Sequence, residues 1–151
     1  MKNSNYLRAL QQQNTDHYVP VWFLRQAGRY LPEYKAVRAR FSDFFEMIKT
    51  PQVCCELTLQ PLRRFHLDAA ITFSDILTIP EALGNEISFI EGRGPVFKEA
   101  IKNGDNPKLD IGGFENLDYV FEATQLIKSK IDVPLIGFAG SPWTIFIYSF
   151  Y

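Results

Sequence analysis

Two arginines four residues apart, Arg25 and Arg29, flank Gln26, Ala27 and Gly28. Guanidinium groups at this spacing can converge on a carboxylate or phosphate as bidentate donors. Gly28 lets the intervening backbone turn or come close to a ligand. The plainer alternative is that both arginines pair with acidic residues such as Glu33. Asp75 is the next candidate: it either offers a carboxylate to a cationic or N–H-rich ligand or caps a helix over 76–83. Tyr148 can hydrogen-bond a ligand through its phenol or sit at the edge of a core. An acid opposite two arginines would suit a ligand with anionic arms and a donor-rich centre.

Other reactive residue types carry less. His17 and His66 stand alone, without metal-ligand spacing, and read as structural. Cys54 and Cys55 are adjacent, so they form neither a disulfide framework nor a CxxC motif. They read as buried helix residues in a reducing cytoplasm. Gly92-Arg93-Gly94 is a turn, because no GxGxxG or Walker-type pattern surrounds it.

The elements that must position these residues follow from hydrophobic spacing. Val19–Leu24 is a β-like run, which places Arg25–Arg29 directly after a strand. Phe41, Phe44, Phe45 and Ile48 fall at helical spacing within Pro32–Lys49, with Ser42 or Asp43 as cap. Thr50-Pro51 opens a second helix toward Phe65, and Pro61 predicts a kink or an early end. Ala69–Phe73 is a short apolar run suited to a two-sidedly buried parallel strand, with Asp75 just beyond it. Residues 86–98 read as two strands of a hairpin, and Asn103–Gly113 as a surface loop. A helix over about Asn116–Lys130 would face inward with Leu117, Val120, Phe121, Thr124, Ile127 and Ile131. Val133–Phe138 is the third buried strand, and Ser141-Pro142 starts a last helix.

This alternation specifies an α/β fold with parallel strands, and ligands of such folds bind beyond the carboxyl ends of the strands. Sixteen basic and seventeen acidic residues give a net charge of −1, so no global field attracts nucleic acid or an anionic membrane. No apolar run reaches the ~20 residues of a membrane span. Three strands are few for a parallel sheet that needs cover on both faces, which predicts the front of something larger.

Three stretches carry a resemblance: PVWFLRQAGRYLPEY (Pro20–Tyr34), LTLQPLRRFHLDAAITFSDILTIPEALG (Leu57–Gly84) and GFAGSPWT (Gly137–Thr144). From about Tyr18 onward the chain resembles the uroporphyrinogen decarboxylase family. Phe23 and Leu24 stand where that family often has methionine, and His66 where it usually has proline. The resemblance implies a (β/α)8 TIM barrel, here the N-terminal portion of one barrel domain over residues 1–151. It implies a cytoplasmic homodimer, no metal or organic cofactor, and decarboxylation of the four acetate arms of uroporphyrinogen to give coproporphyrinogen. Asp75 matches the aspartate that gathers the pyrrole N–H groups. Arg25 and Arg29 match the arginines that bind the carboxylate arms, and one of them is a candidate proton donor. Gln26, Ala27 and Gly28 match the loop backbone at the substrate, Arg38 a further basic residue at the cleft mouth, and Tyr148 a substrate-contacting tyrosine. A barrel takes roughly 250 residues, and the family's later serine or threonine and later histidine have no counterpart here, so a fragment is expected. The rival readings are a corrinoid-dependent methyltransferase of the same fold and a non-catalytic tetrapyrrole-binding fragment.

Overall fold

Proline sets the start of three helices among the described residues. The structure, a computed structural model, describes residues 5–14, 17–90, 92–99, 101–102 and 112–150. Its helices are α1 (Asn5–Leu10), α2 (Pro32–Arg38), α3 (Phe44–Ile48), α4 (Pro51–Arg64), α5 (Thr78–Ala82), α6 (Asp118–Lys128) and α7 (Pro142–Phe150). A 3-10 turn, Gly113–Leu117, leads into α6. The strands are β1 (Ala70–Ile71), β2 (Ile87–Ile90), β3 (Gly94–Phe97) and β4 (Leu135–Ile136).

Pro32, Pro51 and Pro142 each occupy the first helical position, where the missing N–H costs nothing and φ is already helical. Asp43 rather than Ser42 caps α3, its carboxylate accepting from Glu46 N at 3.0 Å. Thr50 has the N-cap position of α4, but its hydroxyl turns back to the Glu46 carbonyl at 3.0 Å. The helix runs through Pro61 to Arg64 and caps at Phe65, so the early end that a lost backbone donor predicts does not occur.

The chain divides into two compact units. In the first (residues 1–73 and 122–137), β1 and β4 pair in parallel, with Ala70 N–H donating to Pro134 O and Thr72 N–H to Ile136 O, both at 2.9 Å. Helix α4 covers this pair with Cys54, Cys55, Leu57 and Thr58, all buried. Thr58 links helix to strand, because its hydroxyl donates to Cys54 O and accepts from Phe73 N–H. Burial pushes the Cys54 thiol up to about 12, so it stays protonated and unreactive.

In the second unit (residues 74–121 and 138–151), β2 and β3 form an antiparallel hairpin in register Ile87↔Phe97 to Ile90↔Gly94. Gly92 and Gly94 turn it with φ of 80° and 85°, a region that disfavours residues with a Cβ. The GRG segment is therefore a turn, as its composition predicts.

Three further expectations need correction. Val19–Leu24 forms no ladder: its backbone bonds at Val21 to Asp68, and Val19, Val21, Phe23 and Leu24 are exposed. Val133–Phe138 shortens to a two-residue ladder that is only half-buried. The inner face of α6 is Ala123 and Ile127, four residues apart, while Phe121 is exposed. Most of the Asn103–Gly113 segment (residues 103–111) lies outside the described residues. Among the described residues the sheet does not close into a barrel.

Candidate functional site

The Arg25–Arg29 loop is held from within. Gln26, only 2% exposed, donates its side-chain amide to Ala69 O at 2.7 Å and accepts from Ile71 N–H at 3.2 Å. The Tyr30 hydroxyl bonds back to the Gln26 carbonyl, and Leu31 N–H closes a turn onto Gly28 O at 3.0 Å. Leu31 is buried, which anchors the loop where it enters α2.

Arg25 and Arg29 are exposed, and neither has an acidic partner among the described residues. Glu33, the acid that could have neutralised them, is taken by Arg64 through two 2.9 Å bonds that hold its carboxyl below the usual range. Their positive charge is therefore available to a ligand. Tyr34, tilted at 57° against Phe73 with ring centroids 5.9 Å apart, lies within the field of Arg29 and Arg38. Burial raises its phenol pKa, and the two arginines oppose that rise. Arg38 also donates to Phe41 O, tying down the chain after α2.

Asp75 and Tyr148 belong to the second unit. Asp75 lies four residues past β1 and is half-buried. Its Oδ1 accepts from Leu77 N–H at 2.8 Å, and Thr78 donates its hydroxyl to the Asp75 carbonyl at 3.1 Å. This Asx-turn leads into α5, whose N-cap is Leu77, so Asp75 braces the turn before the helix rather than capping it as its position predicts. It leaves Oδ2 uncommitted among the described residues. Burial raises the Asp75 pKa, and the Leu77 N–H only partly opposes the rise.

Helix α7 reaches the same loop through a glycine. A Cβ at Gly140 would lie 2.6 Å from the carbonyl oxygen of Ile76, so only glycine permits this approach without a shift. Ser141 Oγ accepts from Thr144 N–H at 3.1 Å and caps α7. Tyr148 follows two turns on, partly exposed. The Gln26 clamp and the Gly140 approach were not foreseen. No local pattern marks the first, whereas the lone glycine before Ser-Pro was a usable signal for the second.

A separate cavity of about 530 Å³ lies where the chain enters β1 and β4, lined by Leu62, Phe65, His66, Lys130 and Val133 among others. It shares no residue with the candidate site, and that end of a parallel barrel is associated with stability rather than catalysis. Among the described residues no group of three His, Cys, Asp or Glu could hold a metal. No helix there is long and apolar enough to cross a membrane.

The parallel strands β1 and β4, with helices between them along the chain and Asp75 beyond the carboxyl end of β1, fit an α/β protein of the TIM-barrel class. A methyltransferase from Methanosarcina mazei superposes over 98% of this chain and 44% of its own length, with TM-score 0.66 and 22% identity, a likeness of fold alone. The chain belongs to the uroporphyrinogen decarboxylase family, whose profile matches residues 1–150. It is 54% identical over 98% of its length to a uroporphyrinogen decarboxylase of Xanthomonas campestris pv. campestris, and 56% identical over 85% of its length to one of Francisella tularensis subsp. novicida. It spans 43% and 38% of the lengths of these two relatives.

Proposed function

We propose that this chain takes part in decarboxylating the four acetate side chains of uroporphyrinogen III to give coproporphyrinogen III, a carboxy-lyase step in porphyrin and haem biosynthesis. The observation that carries the reading is the unneutralised pair Arg25 and Arg29 on one loop, with Glu33 diverted to Arg64. A substrate with many carboxylate arms is what such a pair would recognise.

In this reading Arg25 and Arg29 grip carboxylates, and the Gln26–Gly28 backbone borders the substrate. Protonation of a pyrrole carbon turns the ring into an electron sink. The C–C bond to the departing carboxylate then breaks, its electron pair quenches the ring cation as an exocyclic methylene, and that carbon takes up a proton to become a methyl group while the ring carbon releases the proton it first accepted. Asp75 accepts pyrrole N–H bonds and stabilises the cation by preorganised charge. Arg25 is the proposed proton donor, and Tyr148 contacts the substrate. No metal or organic cofactor enters the scheme. Residues 1–151 are proposed as part of a single barrel domain in a cytoplasmic homodimer. A methyltransferase role has only fold likeness behind it.

The test is to express the protein from its full open reading frame and supply uroporphyrinogen III anaerobically. Release of carbon dioxide with accumulation of coproporphyrinogen III is expected. Methyl transfer without carbon dioxide release would overturn the reading.

A further inference from the structure

We infer that Gln26 is a positioning residue for the arginine pair: its side-chain amide occupies the open edge of β1 in place of a strand and thereby fixes the loop that presents Arg25 and Arg29. The inference rests on the decarboxylase reading for the role of the arginines, but the clamp itself stands on geometry. In a parallel strand, alternate residues direct N–H and C=O to opposite edges. Ala70 and Thr72 point their N–H groups at β4, while Ala69 O and Ile71 N–H face the other edge. The Gln26 amide meets both, donating to the carbonyl and accepting from the N–H, as a neighbouring peptide group would. Only this orientation of the amide satisfies both partners.

The consequence for the arginines is mechanical. Gln26 is buried, and its own carbonyl receives the Tyr30 hydroxyl, so residue 26 is held through both side chain and backbone. Arg25 is its immediate neighbour, and Arg29 follows across the turn that Leu31 N–H closes on Gly28 O. Among the described residues no acid orients the two exposed guanidiniums, so the backbone of this loop sets where their stems begin. Removing the amide leaves Ala69 O and Ile71 N–H without partners at a buried edge, and the loop gains freedom where the ligand needs none. Asparagine is one methylene short, and ionised glutamate cannot donate to Ala69 O.

The experiment uses the protein from its full open reading frame, with uroporphyrinogen III as probe. Gln26→Leu should raise KM about tenfold, on the scale of one or two lost hydrogen bonds. In an Arg29→Ala background the same substitution should raise KM less than it does in the wild type, because one of the two residues it positions is gone. An equal KM penalty in both backgrounds overturns the positioning role. Gln26→Glu guards against a leucine variant that does not fold. Its neutral carboxyl can donate to Ala69 O and accept from Ile71 N–H, so its KM relative to wild type should fall toward one between about pH 8 and pH 5.5. A flat ratio counts against the inference. Hydrogen exchange needs no turnover: Gln26→Leu should speed exchange at Ile71 and at residues 27–31 by about tenfold or more, leaving α4 unchanged. Unchanged exchange overturns the clamp, whereas an inactive wild type with the expected exchange pattern overturns only the decarboxylase reading.

Discussion

Gly140 and Ile76 meet backbone to backbone: a Cβ on the glycine would lie 2.6 Å from the Ile76 carbonyl oxygen and 3.0 Å from a side-chain carbon of Ile145. This contact sets the start of α7 against the loop that follows Asp75. Gly140→Ala should force one of the two segments away. Overpacking of this kind costs about 1–3 kcal/mol, and turnover should fall with the displacement of Asp75 and Tyr148. A melting curve and a turnover assay on the full open reading frame check both. An alanine variant with normal melting point and turnover would show the approach to be dispensable.

Asp75→Asn separates charge from shape. Asparagine keeps an acceptor for Leu77 N–H but cannot stabilise a pyrrole cation, so turnover should drop by about two orders of magnitude. Binding of coproporphyrinogen should survive better. Near-normal turnover would leave the Asx-turn as the residue's sole role.

The same substitution should behave oppositely in stability. Burial raises the folded-state pKa of Asp75 above its unfolded value. The folded state therefore binds the proton more tightly, and ionisation at higher pH works against folding. The penalty is absent at pH below the unfolded pKa and complete above the raised folded one. Asp75→Asn should thus raise the melting point at pH 7, with the gain shrinking as pH falls through the raised folded pKa toward the unfolded value. A gain independent of pH would mean that ionisation of Asp75 is not its source.

Arg29→Ala should weaken substrate binding more than folding. A charge-assisted bond to a carboxylate is worth on the order of 1.5–3 kcal/mol, equivalent to about tenfold or more in affinity. Arg29 is exposed and makes no ion pair among the described residues, so the melting point should barely move. A collapse in melting point with normal affinity per folded molecule would make Arg29 structural.

Residues 1–151 expressed alone should self-associate and release no carbon dioxide from uroporphyrinogen. Trp143 is 70% exposed and stacks on Phe146 at 5.6 Å, while Phe23 and Leu24 are more than half exposed. Exposed apolar groups in such numbers favour association, and among the described residues the sheet of β1 and β4 has two strands. Light scattering and a carbon dioxide assay test this. An active monomer would sink it.

Local chemistry made much of this fold legible. Prolines at helix starts, Asp43 as a cap and glycines in a hairpin all act over a few residues, so their consequences can be read along the chain. Periodicity failed where burial depends on distant partners. Val19–Leu24 is apolar enough for a strand, yet Gln26 fills the β1 edge at Ala69 and Ile71, and among the described residues the backbone of the run bonds to Asp68 alone. Phe121 sits at helical spacing with Ile127 but is exposed, because Ala123 and Ile127 form the face that is covered.

The candidate site divides in the same way. The residue types and the RQAGR and GFAGSPWT stretches specify the family and nominate Arg25, Arg29, Asp75 and Tyr148 without any coordinates. Tertiary structure decided which charges remain available. Glu33 lies four residues past Arg29 but is claimed by Arg64, 31 residues away, through paired 2.9 Å bonds. It also decided that Asp75 loses solvent, which raises its pKa, and that Gln26 turns inward to β1 while the arginines beside it face out. Residue type fixes what a side chain can donate, accept or ionise, but its actual partner depends on which distant atoms the fold brings within about 3 Å.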